Sequence, residues 1–122
     1  MCAFVVKGRK QFSMKGYIGE FEELVLLTIA NLGHGAYGVG IKENLEKRTN
    51  RNISIGALHS TITRLEEKEF IKSWLGEPTE ERGGRRKRFF ELTHAGKVAL
   101  HEIKSLRDEL WKNAKVNLSL AK

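Results

Sequence analysis

SIGALHSTITRLEEKEFIKSWLGEPTEERGGRRKRFFELTHAG, residues 54–96, is the stretch whose reading decides the fold. Ser54 has a side-chain oxygen able to accept from the free N–H groups of a first helical turn. After it, Leu58, Ile62 and Leu65 recur at spacings of four and three, the stripe of an amphipathic helix. His59, Ser60, Thr63 and Arg64 fall on the remaining surface, which is small and polar first and charged only later. Residues 71–75 and 88–92 read as two strands enclosing a long polar loop. Trp74, Leu75, Phe89, Phe90 and Leu92 are expected to give that hairpin an inner face. Thr93 then caps a last helix.

Working outward, Phe21, Leu24, Val25, Leu27 and Ile29 form a dense apolar run that Gly33 ends. Glu20, Glu22 and Glu23 sit in its first turn and suit the positive end of a helix. Apolar residues on most faces predict a central, buried helix. Gly33, Gly35 and Gly38 mark a tight connection to a second helix, with Tyr37, Ile41 and Leu45 on one face. The expected fold class is mainly α with a small β hairpin: a winged helix-turn-helix with an additional C-terminal helix. Residues 1–15 are expected to be a flexible extension, 16–93 the winged domain, and 94–122 a dimerisation helix and tail. On that helix Ala99, Ile103, Leu106 and Leu110 recur at spacings of four and three. Two readings stay open: the closing helix of a monomer, or much of a two-fold interface between copies, with Trp111 beside the stripe. The length beyond Leu106 favours the interface.

The formal charge is +7, from 22 Lys and Arg against 15 Asp and Glu. That balance favours a polyanionic partner, and its distribution says more than its total. Arg82, Arg85, Arg86, Lys87 and Arg88 crowd residues 82–88 with no acid among them. Cys2 is the sole cysteine, so no intrachain disulfide forms, which fits a reducing cytoplasm. No run approaches the roughly eighteen apolar residues of a membrane span. The opening MCAFVVKGRKQFS lacks the apolar length and cleavage pattern of a secretion signal.

Catalysis lacks parts. His34, His59, His94 and His101 fall on different elements without an HxxxH or HExxH pair, and Asp108 is the only aspartate. The glycines at 33, 35, 38 and 40 lack the Lys-Ser/Thr pair of a phosphate loop. No metal ligand set or cofactor motif is present, so a binding protein is expected rather than an enzyme.

The parts that do cooperate suit double-stranded DNA. Short polar side chains at a helix start enter a major groove, while cations on a hairpin hold phosphates. Ser54, Gly56, His59, Ser60 and Thr63 are the candidates for base reading; His59 packing on the wing is the alternative. Arg64, Arg82, Arg85, Arg86, Lys87 and Arg88 are the candidates for the DNA backbone, Arg64 otherwise being a solvated charge. Arg82 or Arg85 in a narrow minor groove is a further alternative. Gly83-Gly84 permits a sharp turn at the wing tip. A winged-helix module for protein association or RNA binding, without operator specificity, is the competing function.

With those residues in view, the chain resembles the PadR-like family of bacterial transcriptional regulators in its short form. The resemblance is carried by GEFEELVLL (19–27), AYGVGIKENLE (36–46), ISIGALHSTITRLE (53–66), SWLGEPTEERGGRRKRFFELT (73–93) and Ala95-Gly96. It implies a homodimeric winged helix-turn-helix protein, usually a repressor on an inverted-repeat operator. Its recognition helix then matches residues 54–68 and its wing residues 75–88. Some relatives take planar aromatic molecules between paired C-terminal helices, which makes Trp111 a candidate pocket wall for a small aromatic effector or an ordinary packing aromatic. Three positions depart from the family pattern: His59 for Tyr, Glu69 for Gly and His94 for Pro. A left-handed cap at Glu69 costs about 1 kcal/mol without glycine, so either the turn differs or the cost is absorbed.

Overall fold

The computed structural model describes residues 18–78 and 86–121. Helix α1 spans Glu20–Leu32 and ends at Gly33, whose φ of 61° lies in the left-handed region that a side chain disfavours. A 3-10 turn at Gly33–Gly35 leads into α2, Gly38–Thr49. Tyr37, expected on the α2 face beside Ile41 and Leu45, instead precedes the helix in an extended conformation. There it pairs with Phe89 as a β-bridge, and the Phe90 amide donates to Ala36 O at 2.8 Å. The segment before α2 is thereby stitched to the hairpin.

Asn50 closes α2 in the left-handed conformation, its amide donating to Glu46 O at 2.8 Å. Ser54 then starts α3, Ile55–Glu67, its Oγ accepting from the Ala57 amide at 3.0 Å. At the far end the Glu69 amide donates to Glu66 O and the Phe70 amide to Leu65 O, the bond pair of a Schellman turn. Glu69 adopts φ 64°, so the left-handed cap is kept and its strain carried. Leu65 and Phe70, the two positions whose apolar side chains usually accompany this turn, are both buried in the core.

Strand β1, Ile71–Pro78, pairs antiparallel with β2, Arg86–Leu92. Both run further towards the wing tip than expected, because pairing resumes at Pro78↔Arg86 after an irregularity beyond Leu75. The expected inner face needs a larger correction. Consecutive strand residues point to opposite sides, so Trp74 with Leu75, or Phe89 with Phe90, cannot share one. Of the five, Phe90 is buried; Trp74 and Leu75 are exposed. Trp74 stacks on Phe89 at 5.9 Å between ring centroids, and Phe89 meets Tyr37 edge-on.

Helix α4 covers His94–Asn113, with Thr93 Oγ accepting from the Gly96 amide at 3.1 Å; a last turn, α5, is Lys115–Leu118. Gly96 is required by packing: a Cβ there would run into the Phe70 carbonyl oxygen. The core gathers Val25, Leu26 and Ile29 of α1, Ile41 and Leu45 of α2, Leu58, Ile62 and Leu65 of α3, Phe90, and Ala99 and Ile103 of α4. Helix α1 is central, as expected, but not buried on every side: Leu27 is 42% exposed.

Candidate nucleic-acid interface

The outer face of α3 begins where Ser54 turns the chain. Ser54, Gly56, His59, Ser60 and Thr63 are all exposed, while Leu58, Ile62 and Leu65 are buried behind them. A Cβ at Gly56 would meet nothing, so the first turn is open to a large partner. His59 stays exposed on α3. The turn feeding this helix is held by Glu46, whose Oε2 accepts from the Ile53 amide at 2.9 Å and from Lys42 Nζ at 3.2 Å. The Ile53 amide first, and Lys42 after it, hold the Glu46 carboxyl below its ordinary range.

Arg64 lies one turn beyond Ser60. Its Nε donates to Glu22 Oε2 at 3.2 Å and its Nη2 to Thr61 Oγ1 at 3.3 Å, leaving the side chain 53% exposed. Lys68, one turn further on, reaches Glu22 Oε1 at 2.9 Å. Glu22 itself is buried and takes a third bond at Oε1, from the Gly19 amide at 3.0 Å. Burial pushes the Glu22 pKa up, but the Gly19 amide, Lys68 and Arg64 together outweigh it and the net direction is down. In the sequence Glu22 stands only as one of three acids in the first turn of a helix. Its partners lie 42 and 46 residues away, and no local pattern announces them.

In the wing, Arg86 is exposed at the first position of β2. Lys87 sits over the Tyr37 ring, 4.2 Å from its centroid, on the other side of the strand from its neighbours. Arg88 Nη1 donates to Ser73 Oγ at 2.8 Å, and Ser73 Oγ donates to Glu66 Oε2 at 2.7 Å. The root of the wing is thus tied to the end of α3. Arg82 and Arg85, with the Gly83-Gly84 turn, lie outside the described residues.

The stripe on α4 divides. Ala99 and Ile103 are packed into the chain's own core and are not available to a second copy. Leu106, Leu110 and Trp111 are exposed, at 47%, 58% and 63%. Between α1 and α4 runs a groove of about 680 Å³, with Leu27, Ala30, Leu92, Leu100 and Trp111 among its walls. Arg107 of α4 reaches Glu23 of α1 at 2.7 Å beside it. Among the described residues no group of His, Cys, Asp and Glu could hold a metal ion, and no helix is long and apolar enough to cross a membrane.

Residues 25–102 match the model of the transcriptional regulator PadR-like family. An uncharacterized protein of Lysinibacillus sphaericus is 32% identical over 87 residues, 70% of this chain and 75% of that protein. Among solved structures, a PadR-like transcription factor from Bacteroides fragilis is similar with a TM-score of 0.64 and 25% identity, covering 91% of this chain and 97% of the other. A PadR-like transcriptional regulator from Bacillus cereus shares the fold at a TM-score of 0.67 and 20% identity, covering 84% and 93%. The matched segment begins inside α1 and ends on α4, so it takes in the helix-turn-helix, the wing and the first turns of the last helix. The chain belongs to the PadR-like family of transcriptional regulators and is a DNA-binding regulator of winged helix-turn-helix build.

Proposed function

We propose that the protein is a repressor that binds an inverted-repeat operator in double-stranded DNA as a homodimer. The observation that carries this reading is the outer face of α3: Ser54, Gly56, His59, Ser60 and Thr63 are open, beside a basic strand. In this reading Ser54 and Gly56 lie where the helix enters the major groove, and His59, Ser60 and Thr63 meet base edges. Arg64, Arg86, Lys87 and Arg88, together with Arg82 and Arg85, hold the phosphates. Lys87 and Arg88 do so while keeping one protein partner each, which fixes their direction. Residues 16–93 supply the DNA-binding part and residues 94–122 the dimer contact.

Dimerisation rests on Leu106, Leu110 and Trp111, whose exposure continues the line of the buried Ala99 and Ile103. Two copies joined there present recognition helices to half-sites about 34 Å apart, one turn of B-DNA. The groove beside Trp111 is apolar enough to admit a small aromatic effector. No cofactor is needed for any of these steps, and a cytoplasmic setting suits them.

The test is a binding titration of the pure protein with its own upstream DNA and with shuffled DNA, repeated across salt concentrations. Preference for the upstream DNA, with two chains per duplex, is the expected result. Equal affinity for both with a steep salt slope would mean coating without sequence preference. Binding to neither would favour the protein-association or RNA-binding reading. Arg86→Ala weakens both DNAs alike and lowers the salt slope by about 1 per chain, whereas Ser60→Ala and Thr63→Ala change the preference between them.

A further inference from the structure

Glu22 faces no DNA in the arrangement above, yet it is the carboxylate that meets the recognition helix. Its two oxygens do separate work. Oε1 takes the Gly19 amide and Lys68 Nζ; Oε2 takes Arg64 Nε. Arg64 is therefore held at two points, by Glu22 at Nε and by Thr61 at Nη2, while half of the side chain stays open one turn beyond Ser60. We infer that Glu22 is a positioning residue for DNA recognition, holding the Arg64 fork so that its unused N–H groups meet a backbone phosphate beside the bases that Ser60 and Thr63 read.

The physical reason lies in what a fixed arginine does that a loose one does not. A solvated cation follows phosphates on any sequence and adds general attraction. A guanidinium whose plane is already set loses little freedom on contact, and it reaches a phosphate only in one docking register. The same contact then contributes to discrimination between sequences. The inner position of Glu22 matters too. At 6% exposure the carboxylate is shielded from solvent and from the DNA it helps to recognise. Arg64, at the boundary, carries the consequence outward.

Glu22→Gln separates the two oxygens. The Gln carbonyl oxygen replaces Oε1 and still accepts from Gly19 and Lys68, as a glutamine does in the corresponding capping position. Its NH2 then stands where Oε2 stood, a donor facing the Arg64 Nε–H donor. The fold keeps its first turn, and the Arg64 link is lost.

The inference rests on the proposed operator binding, and the experiment distinguishes the two. The readout is the ratio of affinities for upstream and shuffled DNA, which cancels the general effect of removing one negative charge. Glu22→Gln is expected to lower that ratio about three- to tenfold, the range a single hydrogen bond supplies. In the Arg64→Ala background the same change is expected to leave the ratio unaltered. Arg64→Lys, which keeps the charge but not the fork, serves if Glu22→Gln does not fold; it is expected to lower the ratio to the Arg64→Ala level. An equal fall in both backgrounds, as from a carboxylate that merely stabilises the domain, overturns the inference. So does no fall in either background, or a ratio that Arg64→Lys leaves at the wild-type value. A wild-type protein with no preference overturns the operator reading itself.

Discussion

Helices α3 and α4 are written in the same way and finished differently. Each starts at a hydroxyl cap, Ser54 or Thr93, and each carries an apolar stripe at helical spacing. On α3 the whole stripe is buried within the chain, and the end of the helix is fastened by the Glu69 turn and the Glu22 ion pairs. On α4 the stripe is buried at Ala99 and Ile103 and exposed from Leu106 onward. A stripe states which face of a helix is apolar. It does not state how far along the helix a partner exists. The stripe of α3 is completed within one chain, while among the described residues nothing covers the α4 stripe from Leu106 onward.

The largest effect that would break this contrast concerns the buried stripe. Leu65→Ala is expected to lower unfolding free energy by about 2–5 kcal/mol in denaturant titrations. A cost near zero would mean that α3 is not held as described. Gly96→Ala comes next, at about 1–3 kcal/mol, since the new methyl must push α4 off the Phe70 carbonyl; an unchanged denaturation midpoint would remove that seat from the account. Glu69→Gly should raise stability by up to about 1 kcal/mol, because glycine adopts the φ of 64° without strain. A loss instead would show that the Glu69 side chain contributes more than its backbone costs.

A smaller effect is expected from pH. The folded Glu22 carboxyl titrates below its ordinary 4.5, so its contribution is fully present above that value and is lost as pH falls through the folded pKa. Stability against pH, measured for wild type and Glu22→Gln, should differ in slope only on the acid side of 4.5. Parallel curves there would contradict the assigned environment. The smallest effect is the sharpest comparison. Leu110→Ala should change the stability of the single chain by no more than about 0.5 kcal/mol, yet shift dimer dissociation to lower dilution in sedimentation experiments. If it costs as much as Leu65→Ala at concentrations where only monomer exists, the contrast between the two helices fails.

Legibility in the sequence followed the range of the interactions. Caps at Ser54 and Thr93, the Leu58–Ile62–Leu65 spacing and the glycine that ends α1 are signals carried within a few residues, and each is seen in the fold. Strand extents and facing were less legible. Doubled aromatics such as Phe89-Phe90 point both ways across a pleated strand, and only register shows which one enters the core. The spacing of Tyr37 from Ile41 fits a helix, but its backbone pairs with Phe89 instead. For the interface, composition pointed to a basic wing and a polar helix face. It did not show that Lys87 turns to Tyr37, that Arg88 turns to Ser73, or that Arg64 is gripped from behind.

By itself, then, the sequence determined the order of elements, the inward face of α3 and the charge of the wing, because these depend on propensity, periodicity and composition over short spans. Only the tertiary structure decided which α4 residues are spent on the chain's own core, how the wing is tied to the helices, and that one buried glutamate joins the first helix to the third. Those outcomes depend on which distant groups meet at hydrogen-bonding distance, and a carboxylate at a helix start looks the same in sequence whether it faces water or an arginine 42 residues on.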